Sequence, residues 1–85
     1  MAGKYTPFEQ YLTALTDSQK DVTLSFEHIA RILNDKLPPS AYKYQAWWAN
    51  QQKGSHVEAQ AWLDAGWRVV SINFTEIWVR LRRER

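Results

Sequence analysis

Gly66-Trp67-Arg68-Val69-Val70-Ser71-Ile72-Asn73-Phe74-Thr75-Glu76-Ile77-Trp78-Val79-Arg80-Leu81-Arg82 is the stretch that decides how this chain folds. Ahead of Gly66 the apolar residues recur at helical spacing; beyond it they do not. Trp67 to Ile72 is rich in β-branched residues, and Ile77 to Arg82 alternates apolar and polar positions, the period of a half-buried strand. Asn73 to Glu76 is the right length for a hairpin connection, though it lacks the Asn-Gly or Asp-Gly pair of the tightest turns. Alternation predicts two faces for the last strand. Ile77, Val79 and Leu81 lie on one, and Trp78, Arg80 and Arg82 lie together on the other.

Working back from Gly66, Ser55-His56-Val57-Glu58 reads as a capping box that opens a helix with Ala59, Trp62 and Leu63 on one face, stopped by Gly66. Ser40, after two prolines, predicts the cap of a third helix through Ala41, Tyr44 and Trp48 that ends near Gly54. Val22, Leu24 and Phe26 alternate with hydroxyl residues as a short strand. Ser25 also caps a second helix carrying Phe26, Ile29, Ala30 and Leu33, closed by Asn34-Asp35 and Leu37-Pro38-Pro39. Thr6-Pro7-Phe8-Glu9 is the first capping box, and Phe8, Tyr11, Leu12 and Leu15 follow as a buried helical face. Trp62, Leu24, Phe26, Ile29, Leu33 and Leu12 are the expected shared core.

The predicted fold is therefore α+β: three or four short helices, one strand after the first helix, and a C-terminal β-hairpin. That is the element order of winged helix-turn-helix domains, in which the first strand pairs with the terminal hairpin and a helix enters a DNA groove. The helix from Ser55 to Ala65 is either an insertion before the wing or exchanges roles with the helix preceding it.

Eighty-five residues suffice for one domain spanning 1–85, and the 45% hydrophobic content with five tryptophans supplies a core. No cysteine is present, so neither a disulfide framework nor a zinc-thiolate site is available. The reading is a reducing, cytoplasmic setting, with no targeting segment and no run near the roughly 18 apolar residues of a membrane span. The charge is unevenly placed. Met1 to Gly66 holds six Lys/Arg against seven Asp/Glu, whereas Trp67 to Arg85 holds five Arg against two Glu. The C-terminal segment is thus the basic pole, either a solvated strand end or a phosphate-binding surface.

Catalysis finds little support among these residues. There is no Gly-rich phosphate loop, no His-Glu-x-x-His helix and no His or Cys pair at ligand spacing; His28 and His56 each sit at a helix start among polar residues. The sequence implies no enzyme, no metal and no cofactor. On the third predicted helix, Trp47 and Trp48 lie about 100° apart, too far for one narrow stripe to bury both. Lys43, Trp47 and Asn50 form one stripe there, with Tyr44, Gln51 and Lys53 close by. Lys43 is placed for a phosphate or guanine, Asn50 or Gln51 for adenine, and Trp47 for a base or sugar. The competing reading puts both tryptophans in the core and spends Asn50 on backbone groups. Trp78, Arg80 and Arg82, with Arg68 on the neighbouring strand and Arg83 and Arg85 in the tail, form an aromatic and cationic surface for a phosphate backbone; alternatively the arginines stack on Trp78 or pair with carboxylates.

Tyr5-Thr6-Pro7-Phe8-Glu9-Gln10-Tyr11-Leu12, Leu24-Ser25-Phe26-Glu27-His28-Ile29, Leu37-Pro38-Pro39-Ser40-Ala41, Trp47-Trp48-Ala49-Asn50 and Ala61-Trp62-Leu63-Asp64-Ala65-Gly66-Trp67 resemble a small uncharacterised domain family of bacteria and their phages. The resemblance covers nearly the whole chain and implies a discrete domain, without an activity to carry over. The expected partner is DNA, in duplex form, with a protein partner or a second copy of the chain as the alternative and no membrane.

Overall fold

The computed structural model describes residues 3–51 and 57–84. Its elements run α1 (Thr6–Thr13), β1 (Asp21–Ser25), α2 (Phe26–Leu33), two 3₁₀ turns (Pro39–Tyr42 and Gln45–Trp48), α3 (Val57–Asp64), β2 (Trp67–Asn73) and β3 (Trp78–Arg83). The strands form one antiparallel sheet in the order β1-β3-β2, so the early strand joins the outer side of the C-terminal hairpin. Helices and turns cover one face of that sheet. Leu24, Val69, Val79 and Leu81 point into this layer and are buried with Phe8, Leu12, Phe26, Ile29, Leu33, Trp48 and Trp62. All six residues expected to share the core are in it.

Local chemistry explains most element boundaries. Ser25 is extended and its Oγ accepts the His28 backbone N–H, capping α2; Asn34 closes that helix in the left-handed conformation, which asparagine tolerates. Gly66, at φ 88°, donates its N–H to the Leu63 carbonyl and reverses the chain so that β2 starts at once. One boundary departs from expectation, and Phe26, read both as the end of the strand and as the start of the helix, belongs to the helix. Thr6 does not cap α1: Tyr5 is the N-cap residue, and Thr6 Oγ1 instead accepts the Gly3 backbone N–H at 2.8 Å. Phe26 leaves the strand to open α2, where its ring stacks on Trp48 at 4.9 Å. The Ser55-His56 part of the second capping box lies outside the described residues.

The larger correction concerns the third predicted helix. Ala41 to Trp48 is two 3₁₀ turns hinged at Lys43 and Tyr44, with Tyr44 in an extended conformation. A continuous helix would splay the two tryptophan rings about 100° apart. The broken path brings both to the aromatic core. Trp48 is buried between Phe26 and Trp62, while Trp47 packs edge-on against Trp48 and Tyr5. Trp48 Nε1 donates to the Ala41 carbonyl at 2.9 Å, a bond that replaces helical pairing there. Tyr44, expected on the buried stripe, is 61% exposed. Tertiary packing has overruled a weak local preference.

Candidate nucleic-acid interface

Residues directly opposite in an antiparallel sheet share a face, so the strand register fixes what the uncovered side presents. Across the middle strand β3, Arg82 stands between Asp21 and Arg68, Arg80 between Thr23 and Ser71, and Trp78 between Ser25 and Asn73. Arg68, Arg80 and Arg82 are exposed and Trp78 is half-buried. Three arginines and one indole thus occupy a single open surface, because alternation along β3 sends Val79 and Leu81 to the core. Ile77 does not extend that buried face. It precedes the strand at φ 62°, 41% exposed, and its carbonyl accepts the Phe26 N–H.

The side chains on this face are arranged by weak contacts. The Arg80 guanidinium lies over the Trp78 ring at 5.1 Å and donates through Nε to Thr23 Oγ1 at 3.0 Å. Trp78 Nε1 donates to Glu76 Oε1 at 3.3 Å. Arg68 pairs with Glu84 at 3.6 Å, both half in solvent, an arrangement contributing little. Arg82 makes no ion pair among the described residues, although Asp21 stands opposite it in register. Arg68 and Arg82 face each other directly, and like charges so placed destabilise a sheet.

Arg83 belongs to another structure entirely. Its Nε donates to the Gln19 carbonyl at 3.0 Å, its Nη2 to the carbonyls of Leu15 and Thr16 at 3.3 and 2.7 Å, and its guanidinium lies over the Trp67 ring at 4.6 Å. The residue pins the end of β3 to the segment between α1 and β1. Removing it leaves three carbonyls without that donor, and charged donors contribute more than neutral ones. Because the group is partly solvated, Arg83→Met is expected to cost about 2 kcal/mol in urea denaturation. Arg83→Lys should recover less than half of that, since an ammonium lacks the planar fork. A loss under about 0.5 kcal/mol for Arg83→Met would return Arg83 to the solvated tail.

The residues expected on a recognition helix do not assemble. Lys43 and Tyr44 project from the hinge between the 3₁₀ turns, and Gln51 is exposed beyond them. Trp47 is half-buried against Tyr5 and Trp48. Lys53 lies outside the described residues. Asn50 has turned inward: Oδ1 accepts Trp62 Nε1–H and the Val69 N–H, and Nδ2 donates to the Val69 carbonyl, each at 2.9 Å. With all three contacts made, its amide has no edge to offer a base. Sequence reasoning had both alternatives for Asn50 but no partner for it; its nearness to Val69, 19 positions away, carried no local signal.

Helix α3 presents Val57, Gln60 and Asp64 to solvent, while Glu58, Ala59, Ala61 and Trp62 are buried. No cation stands on its described outer surface. Elsewhere, burial first and the Glu58 and Asp35 carboxylates second raise the Tyr5 phenol above its ordinary value. Among the described residues no cluster of His, Cys, Asp and Glu could hold a metal ion, and no helix is long and apolar enough to cross a membrane. A family model described as a domain of unknown function (DUF7662) matches residues 5–84. No curated protein and no solved structure matches the chain.

Proposed function

Because the chain belongs to this family of unknown function, we propose its role from geometry: a non-catalytic DNA-binding module that meets phosphates with the open face of its sheet. The observation that carries the proposal is the gathering of Arg68, Arg80 and Arg82 around Trp78, with Arg68 directly facing Arg82. Arg68 is paired with Glu84, so an anion lying across the face meets Arg80 and Arg82, which make no ion pair among the described residues. The order α1-β1-α2-α3-β2-β3 with sheet order β1-β3-β2 supports a winged-helix-like reading in which the basic hairpin is the wing. In that reading α3 takes the recognition position, but its outward Val57, Gln60 and Asp64 favour a sequence-blind clamp over base readout.

Replacing Arg80 and Arg82 together with alanine is expected to weaken binding to all DNA sequences alike. For duplex DNA the log–log salt slope should fall by about 0.9 for each phosphate that the variant no longer neutralises. Fluorescence anisotropy across a salt titration measures both. Failure of the wild type to bind DNA of any form at low salt would overturn the proposal. The second reading is a protein-interaction domain, favoured by Tyr42 and Phe74, which flank Phe26 edge-on yet remain 41% and 37% exposed. A contact centred there responds little to salt.

A further inference from the structure

We infer that the strand bound on this face is unpaired and extended, running along β3, so the ligand is single-stranded nucleic acid; the inference rests on the proposed DNA-binding role. Trp78, Arg80 and Arg82 recur every second residue, and two residues of a strand advance roughly 6.8 Å. A strand lying along β3 that sets a base on Trp78 and a phosphate on Arg82 must present that base unstacked, and an unstacked base needs a new stacking partner.

The face supplies one. Trp78 with the Arg80 guanidinium lying over it forms an aromatic and planar-cation pair on which a base stacks, and base–aromatic stacking is indifferent to sequence. Arg82 lies one step further along β3, with no ion pair among the described residues, positioned for the next phosphate. Thr23, Ser25, Ser71 and Asn73 flank the central row with polar side chains that can hydrogen-bond a strand lying along it. Sequence readout of a duplex needs instead a projecting element that enters a groove. The helix in that position offers Val57, Gln60 and Asp64 outward, and no basic residue among those described.

The chemistry is shared by DNA and RNA single strands, and a competition experiment separates them. Unlabelled oligo(dT), oligo(U) and a blunt mixed-sequence duplex of about 12 nucleotides or base pairs, within the usual range of single-strand site sizes, are titrated against a labelled oligo(dT) at low salt. At least one single strand is expected to compete about tenfold better than the duplex, and the better of the two names the sugar. Trp78→Ala should lower single-strand affinity about tenfold while changing duplex affinity less than twofold, and Trp78→Phe should restore most of the loss. Equal or tighter competition by the duplex overturns the inference and leaves the DNA-binding role standing. No binding of any nucleic acid overturns both. Should Trp78→Ala not fold by circular dichroism, the wild-type comparison and Trp78→Phe decide the matter: the phenylalanine variant must keep at least a third of the single-strand affinity.

Discussion

Truncating Trp62 to alanine is expected to cost about 3–5 kcal/mol, a large fraction of what holds a domain of this size together. Trp62 is 1% exposed, stacks on Trp48 at 5.8 Å with the rings 20° apart, and meets Phe8 edge-on at 6.4 Å. Phe26 continues the stack on the far side of Trp48. One indole thus touches α1 through Phe8 and, through Trp48, the turns and α2, so no single neighbour can close the cavity its loss would leave. The expected result is a lower urea midpoint with little change in slope, and a melting temperature down by more than about 15 °C. Trp62→Phe keeps the stacking ring but deletes the N–H to Asn50, and should cost only about 1–2 kcal/mol. A loss below about 1 kcal/mol for Trp62→Ala would show that Trp48 and Phe8 close on the gap.

Trp62 was legible in the sequence because it repeats with Ala59 on a helical face. The same holds for Ile29 and Leu33 on α2 and for Val79 and Leu81 on β3, where burial repeats with the period of the element. Ser25 and Gly66 were legible for a different reason: a cap or a positive φ restricts which residues serve, so their type announces their place. The stretch from Ala41 to Asn50 was not legible. Its helical spacing is real, but the conformation is set by the rings of Phe26, Tyr5 and Trp62 in distant segments, and by Asn50 reaching across to Val69. Arg83 failed similarly. Its carbonyl acceptors are more than 60 positions away, so a tail arginine and a structural one look alike in sequence.

This redistribution of arginines bears on function. Of the basic residues after Gly66, Arg83 is spent on joining β3 to the segment after α1, and Arg68 is paired with Glu84. Among the described residues, the charge left without an ion pair or a structural role is on Arg80 and Arg82, and Arg85 lies outside them. Two phosphate contacts give a shallow salt dependence, about 1.4 in log–log slope for a single strand, against about 1.8 for a duplex. A weak electrostatic grip of that size places most of any affinity on the Trp78 stack.

Asn50→Ala is expected to cost about 3–4 kcal/mol with no part of the loss tied to a ligand. The side chain completes three buried or half-buried groups at once: the Trp62 indole N–H, the Val69 N–H and the Val69 carbonyl. Val69 lies on the edge strand beside the register shift between Val69 and Ser71, and among the described residues no fourth strand pairs with its backbone. Asn50 acts as a one-residue strand, offering an acceptor and a donor in the geometry a neighbour would supply. Each group left unpaired costs about 1–3 kcal/mol, reduced here because Asn50 is only half-buried and water reaches part of the site. Asn50→Asp retains an acceptor for both N–H groups but sets a carboxylate against the Val69 carbonyl, and should lose about 2 kcal/mol. A double-mutant cycle with Trp62→Phe isolates the indole contact, with an expected coupling of about 1 kcal/mol. If Asn50→Ala instead unfolds within about 1 kcal/mol of wild type, water replaces the amide and its role in fixing the β2 edge is refuted.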